Sequence, residues 1–114
     1  MDDQSPVAQV EVVDLPAAFG PDRVLLDVRE DDEWQRGHAA DALHIPMGQV
    51  PARLEEIDGQ AELYVICHAG GRSRRVANYL QQNGYRPVNV NGGMLAWAGA
   101  GRPVVTDAGE PGSV

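Results

Sequence analysis

A strand, a tight loop and the start of a helix follow one another in LYVICHAGGRS, residues 63–73. Cys67, the only cysteine of the chain, stands where the apolar run ends and the glycines begin. In such a turn, backbone N–H groups and the positive end of the next helix converge on one concavity and stabilise negative charge. A lone cysteine is more often a small buried apolar residue. A cysteine of that type is expected inside a strand, whereas Cys67 is followed directly by glycines and arginines. The stretch therefore predicts a reactive thiolate at Cys67.

Outward from this stretch, strands alternate with helices. Apolar runs predict strands at 10–13, 23–28, 43–45, 63–67 and 88–90. Caps and helical spacing predict helices that open at Asp14, Asp31 and Gly92, and others over 50–57 and 73–83. This alternation predicts an α/β fold with a mostly parallel central sheet and helices on both faces. Ligands in such folds bind beyond the carboxyl ends of the strands, where Cys67 and Arg29 are expected.

Length and composition bound the domain organisation. A chain of 114 residues, 43% of them hydrophobic, predicts one compact domain with one core, which we assign to residues 1–104. Beyond Pro103 the sequence offers little apolar surface to bury. Residues 105–114 are therefore predicted to form a flexible C-terminal tail.

The charge distribution excludes some partners and favours others. A net charge of −8 argues against nucleic acid and anionic membranes as partners. All nine basic residues are arginines, and Arg72, Arg74 and Arg75 follow Cys67 closely. We interpret Arg74 and Arg75 as solvated on the outer face of the helix, whereas Arg72 closes the loop. The pattern indicates a local cationic pocket, suited to a small anion, on an acidic body.

Cysteine usage and the N-terminus bear on compartment and cofactors. The chain contains no apolar run long enough to cross a bilayer, and Met1–Gln4 lacks the pattern of a secretory signal. A single cysteine excludes an internal disulfide and a Cys-x-x-Cys metal site. The three histidines show no helical i, i+4 pairing. We therefore expect a cytoplasmic protein with neither metal nor cofactor.

Several motifs, in order, resemble the rhodanese-type sulfurtransferases. They are Asp27-Val28-Arg29-Glu30 with Glu33, Gly37-His38, Ile45-Pro46, the loop Cys67–Ser73, Gly92-Gly93 with Trp97, and Gly101-Arg102-Pro103-Val104. The resemblance covers about Val10 to Val104, and its order around the loop makes it specific. One departure is Ala39-Ala40-Asp41-Ala42, where the family typically has Ile-x-Gly-Ala. That segment packs rather than reacts in the family, so the implied chemistry is unaffected.

The resemblance implies a rhodanese-like domain that moves a sulfane sulfur from thiosulfate or a similar donor to a thiol or cyanide, through a Cys67 persulfide. Cys67 is implied as the nucleophile and Arg72 as the residue that binds the donor anion. His68, Ala69, Gly70, Gly71 and Ser73 complete the implied substrate-binding loop, in which Ser73 is interpreted mainly as a helix cap and His68 as uninvolved in proton transfer. The loop has six residues counting Cys67 and Arg72, a length that in the family accompanies sulfur transfer. Relatives acting on phosphate or arsenate have one more.

Two other functions stay open at this point. A sulfur-relay module would receive persulfide from a partner protein and pass it on, and a phosphatase or arsenate reductase is disfavoured by the short loop. Away from the loop, we expect Asp27 and Arg29 to brace neighbouring loops through an ion pair or backbone contacts, and His38 to make a structural hydrogen bond. Trp34 and Trp97 are expected to pack between the helices and the sheet.

Overall fold

In a computed structural model of the chain, residues 6–114 are described and form a five-stranded, entirely parallel sheet. The strands are β1 (Ala8–Glu11), β2 (Arg23–Asp27), β3 (Leu43–His44), β4 (Glu62–Ile66) and β5 (Pro87–Asn91). The helices are α1 (Asp31–Arg36), α2 (Gly71–Gln82) and α3 (Gly93–Gly99), with 3₁₀ turns at Val12–Asp14, Met47–Gln49 and Pro51–Glu56. The spatial order β1-β5-β4-β2-β3 places β4 at the centre.

Apolar clusters cover both faces of the sheet. On one face, Leu26 and Val65 pack with the inner side of α2, formed by Val76, Ala77 and Leu80. On the other face, the buried residues include Leu25, Ile66, Val90, Met94 and Trp97, the last two from α3. The predicted α/β class and the predicted inward stripe of the long helix are both confirmed. Because β4 is buried on both sides, the residue after it is held rigidly at the carboxyl edge of the sheet.

The structure differs from the sequence prediction near the N-terminus. Strand β1 ends at Glu11, which pairs with Asn91, the last residue of β5. The residues that follow Glu11 therefore have no β5 residue opposite them to pair with. No helix opens at Asp14, because Leu15 is extended, as residues before proline prefer. Arg102 holds this segment by donating to the carbonyl oxygens of Leu15 and Pro16 at 2.8 and 2.9 Å.

Smaller differences occur at two predicted helices. Residues 51–56 form 3₁₀ turns with a kink at Arg53 instead of the helix predicted over 50–57. The helix predicted over 73–83 begins two residues earlier, at Gly71, and ends before Gly84, which has a positive φ of 90°. An early start brings the first turn of α2 directly against the loop of Cys67.

The C-terminal segment 105–114, predicted as a flexible tail, instead folds back on the end of α1. His38 and Val105 exchange backbone hydrogen bonds of 2.8 and 2.9 Å, and the N–H of Ser113 donates to the Arg36 carbonyl at 2.9 Å. A Cβ on Gly112 would lie only 2.8 Å from that carbonyl oxygen, so the close approach requires glycine. The prediction considered apolar burial alone, whereas backbone hydrogen bonds hold this segment.

Among residues 6–114, no helix is long and apolar enough to cross a membrane. Residues 1–5, on which the prediction about a secretory signal depends, lie outside the described part of the chain.

Candidate active site

Cys67 is the first residue after β4, at the carboxyl edge of the sheet, and a three-residue turn separates it from α2. Gly70 makes the turn possible with a φ of 113°, a conformation that side chains rarely adopt. The loop therefore brings backbone N–H groups back toward the sulfur within three residues, as the sequence predicts.

The N-terminus of α3 fixes the orientation of this loop. The N–H groups of Met94 and Leu95 donate to the carbonyl oxygens of Cys67 and His68 at 2.8 and 3.0 Å. A side chain on Gly93 would overlap those same carbonyls. The C=O of His68 and the N–H of Ala69 belong to one peptide and point in opposite directions. Because the His68 carbonyl points toward α3, the Ala69 N–H points toward the sulfur of Cys67. The Gly92-Gly93 pair thus has a positioning role that its sequence alone does not reveal.

The sulfur of Cys67 lies in a shell of hydrogen-bond donors. The N–H of Gly70 donates to Sγ at 3.1 Å, and Oγ of Ser73 lies 3.3 Å from Sγ. Only 1% of the residue is exposed, and this burial acts to raise the thiol pKa. The Ser73 hydroxyl and the N–H groups of Ser73, Gly70 and Ala69 lower it, and together they outweigh the burial, so the thiol pKa is lowered overall. The site can hold a thiolate.

Ser73 does not cap α2, contrary to the preferred interpretation of the sequence. Gly70 is the N-cap and makes no side-chain cap, while the buried Ser73 hydroxyl faces Sγ, the Gly70 carbonyl and Oδ1 of Asn89, the last at 2.5 Å. Asn89 in turn donates to the Gln9 side chain at 2.9 Å. A polar chain therefore runs from the first strand to the sulfur.

Asn89 is a site residue that the sequence analysis missed. The signal was an amide between Val88 and Val90, in a predicted strand of a sheet expected to have helices on both faces, since a buried amide needs partners. In the structure Asn89 is 2% exposed, and its partners are Ser73, Gly70 and Gln9.

Arg72 lies in the first turn of α2, next to the loop, and its guanidinium is already paired. Nη1 and Nη2 donate to the two carboxylate oxygens of Glu33 at 2.6 and 2.8 Å. The hydrogen bond from Arg72 is the main cause that lowers the pKa of Glu33 to about 2, and the same bond raises the pKa of Arg72. The sequence motif contained Glu33 but gave no sign that it reaches the loop.

The remaining loop residues form the mouth of the site. Ala69 and Gly71 are exposed, and His68 is half-buried. Leu95, at the start of α3 beside His68, is 51% exposed. The structure thus brings Cys67, Gly70, Ser73 and the N–H of Ala69 together at the sulfur, and leaves His68, Gly71 and the side chain of Ala69 farther out.

Behind the site, Asp27 and Arg29 form the predicted bracing ion pair. Nη2 of Arg29 lies 2.8 Å from Oδ2 of Asp27, and both side chains are 1% exposed. Arg29 also donates to the carbonyl oxygens of Gly37 and Glu33 at 2.7 and 3.4 Å, which links the end of β2 to the middle and the C-terminal end of α1. The pair therefore fixes the helix that carries Glu33.

The histidines and tryptophans have structural contacts. His38 makes the predicted structural hydrogen bond, 2.8 Å from Nδ1 to the Trp34 carbonyl. Trp34, on α1, stacks between the rings of His38 and His44, with centroids 3.6 and 4.5 Å away, and His44 belongs to strand β3 of the sheet. Trp97 is buried as predicted, and its Nε1–H donates to the Pro103 carbonyl at 2.9 Å. No cluster of ligating side chains that could hold a metal ion occurs within residues 6–114.

Comparison with known proteins places these features in a family context. The model of the rhodanese-like domain family matches residues 11–100. "Putative sulfurtransferase YtwF" of Bacillus subtilis is 46% identical over 79 residues, which are 69% of this chain and 77% of that protein. A "Sulfurtransferase" of Allochromatium vinosum is 39% identical over 89 residues, 77% of this chain and 83% of the relative.

A longer relative and a solved structure add to this context. "Putative sulfur carrier protein YrkF" of Bacillus subtilis is 41% identical over 76 residues, 66% of this chain but only 41% of that protein. The crystal structure of a rhodanese-related protein from Thermoplasma volcanium has a TM-score of 0.78 and 28% identity, covering 88% of this chain and 99% of that one.

Proposed function

The chain belongs to the family of rhodanese-like domains, and from this premise we propose that it moves a sulfane sulfur through a persulfide on Cys67. The names of its relatives support sulfur transfer as the chemistry. The finer proposal is that the donor is thiosulfate or a similar compound and that the acceptor is a thiol or cyanide. A cytoplasmic location is part of the proposal, because a reducing compartment keeps a lone cysteine as the thiol.

The observation that carries the proposal is the donor shell around Sγ. A thiolate is the nucleophilic form of cysteine, and here the Gly70 N–H and the Ser73 hydroxyl stabilise it despite burial. A persulfide anion has the same charge on a terminal sulfur, so the same donors stabilise both resting forms. A thiolate stabilised in this way attacks without the help of a general base.

In the first step, the Cys67 thiolate attacks the outer sulfur of thiosulfate. A bond forms between Sγ and that sulfur, the S–S bond of thiosulfate breaks, and its electron pair leaves with sulfite. The charge of −3 on the reactants is carried by the Cys67 persulfide anion and the sulfite dianion. Arg72, in the first turn of α2, is the residue proposed to face the donor's sulfonate.

In the second step, an acceptor thiolate or cyanide attacks the outer sulfur of the persulfide. The S–S bond to Cys67 breaks, the electron pair returns to Sγ, and the product is an acceptor persulfide or thiocyanate. Both steps exchange one sulfur between nucleophiles, so no oxidant or reductant takes part.

Intact-mass measurement tests the proposal directly. Incubation with thiosulfate is expected to add one sulfur, about 32 Da, that cyanide removes and that C67S lacks. A parallel pH titration of Cys67 alkylation should give a pKa below that of a free cysteine. An unmodified mass together with an ordinary thiol pKa would refute the assignment of Cys67.

A sulfur-relay role is a second candidate, favoured by two observations. One relative is named a sulfur carrier protein, and Leu95 presents an exposed apolar side chain beside the loop. A relay predicts slow turnover with thiosulfate but fast, saturable transfer of sulfur from a persulfide-bearing protein such as a cysteine desulfurase. Comparing the rates of Cys67 loading from a small organic persulfide and from the persulfide-bearing protein distinguishes the roles.

A further inference from the structure

Glu33 occupies the guanidinium that a donor anion would need. Its two carboxylate oxygens accept hydrogen bonds of 2.6 and 2.8 Å from the two terminal nitrogens of Arg72. These nitrogens form the planar fork with which arginine binds carboxylate or sulfonate groups. A sulfonate that binds Arg72 in the same way must therefore displace Glu33.

The Glu33 side chain is also held from its own helix. Its Oε1 accepts the Glu30 N–H at 3.0 Å, and the Glu30 side chain accepts the Glu33 N–H in return, which forms a capping box at the start of α1. The Glu33 carbonyl accepts from the buried Arg29 at 3.4 Å. Because these contacts anchor Glu33, its carboxylate is a fixed competitor for Arg72 rather than a mobile surface group.

The charged groups around the opening to Cys67 produce little electrostatic attraction for a doubly charged anion. The positive charge of Arg72 interacts with the carboxylates of Glu33 and Glu30 as well as with Cys67. Arg29 is neutralised by Asp27 at full burial. Arg74 and Arg75 are exposed on α2, where solvent and salt screen them. Three arginines close in sequence therefore do not produce the cationic pocket that the sequence predicts.

We propose that Glu33 is a specificity-determining residue: by competing for Arg72, it disfavours doubly charged donors such as thiosulfate and favours organic persulfides that carry at most one negative charge. The inference rests on the proposed transfer through Cys67 and deepens it by naming the donor class. The Cys67 thiolate attacks the outer sulfur of R–S–SH, the S–S bond breaks, and the electron pair leaves with R–S⁻. The proton remains on the transferred sulfur, so atoms and charge balance.

Replacing Glu33→Gln tests this with little structural change, since glutamine preserves the capping box while the negative charge is lost. The probes are thiosulfate and the persulfide of 2-mercaptoethanol, and the readout is the second-order rate constant for adding one sulfur to Cys67. We expect E33Q to raise the thiosulfate rate constant about tenfold and to change the persulfide rate constant less than about twofold.

Glu62→Gln is the matched control. Glu62 also pairs with an arginine, Arg23 at 3.3 Å, but it begins the strand whose end carries Cys67. Glu62 and Cys67 are about 16 Å apart along that strand, which is farther than the Debye length at physiological salt. E62Q should leave both rate constants and their ratio unchanged.

The outcomes separate the possible explanations. Equal losses with both donors in E33Q would mean that Glu33 only braces the loop, and an unchanged donor ratio would mean that it does not select; either result overturns the inference. If neither donor loads Cys67 in the unmodified protein, the proposed function itself fails.

Salt dependence in the unmodified protein provides a test that does not depend on the variant folding. If Glu33 and its neighbours repel the dianion, the ratio of thiosulfate to persulfide rate constants rises as ionic strength increases. A ratio that falls with salt would indicate a net positive mouth and would overturn the inference.

Discussion

Two arginine–carboxylate pairs, each with two arginine nitrogens bonded to the carboxylate, contact or include α1, and their surroundings differ. Asp27 and Arg29 pair at 2.8 Å with both side chains 1% exposed. Glu33 and Arg72 pair at 2.6 and 2.8 Å with side chains 17% and 31% exposed. The first pair cannot exchange its partners for water or a ligand, whereas the second can. Burial thus makes Asp27–Arg29 part of the rigid framework of the fold, and we call it the frame pair. Glu33–Arg72 lies at the partly exposed mouth of the site, and we call it the mouth pair.

The largest expected effect comes from breaking the frame pair. Asp27→Asn retains the shape of the side chain but leaves the buried Arg29 charge without its counterion. The free energy of unfolding should fall by about 3–5 kcal/mol, as for other broken buried pairs, when measured by urea denaturation.

The exposed pair Arg23–Glu62 supplies the comparison for this variant. Its side chains are 44% and 54% exposed, so E62Q should cost less than about 1 kcal/mol. Equal losses in D27N and E62Q would contradict the distinction between frame and surface.

A smaller loss of stability is expected when Gly37 is replaced. The carbonyl oxygen of Gly37 accepts a hydrogen bond from Arg29. A Cβ at this position would lie 2.5 Å from the Ser113 carbonyl oxygen and 2.7 Å from Cγ1 of Val104. Gly37→Ala should therefore displace the C-terminal segment and cost about 1–3 kcal/mol. Faster hydrogen exchange of the Ser113 N–H would identify the displaced segment.

Gly99→Ala is the control for Gly37→Ala. Gly99 lies in α3, and nothing lies within 4 Å of a Cβ added there. Alanine in that helix should be neutral or stabilising by about 0.5–1 kcal/mol. Unchanged Ser113 exchange in G37A would show that the segment 105–114 does not depend on this contact.

Sequence reasoning succeeded where neighbouring residues determine the structure. The apolar run before Cys67 and the glycines after it predict a strand, a tight loop and a helix, and these elements form. It failed where partners are distant in the chain. Whether Ser73 caps its helix or faces the sulfur depends on Asn89, sixteen residues away. Whether Arg72 is free to bind an anion depends on Glu33, thirty-nine residues away. Local pattern carries no information about such contacts.

The smallest expected effect is the contribution of the mouth pair to stability, and its pH dependence has a definite sign. Arg72 lowers the pKa of Glu33 from 4.5 to about 2 in the folded chain. A carboxyl group with a lowered folded pKa stabilises the fold above its unfolded pKa and loses that contribution as pH falls through the folded value. Because the pair is partly solvated, we expect E33Q to cost only about 1 kcal/mol at pH 7. The difference between the two proteins in urea denaturation should persist down to about pH 4.5 and shrink toward pH 2. If the difference in unfolding free energy instead grew as the pH fell, Glu33 would stabilise the fold by something other than the attraction between its charge and that of Arg72. Both pairs would then have a structural role.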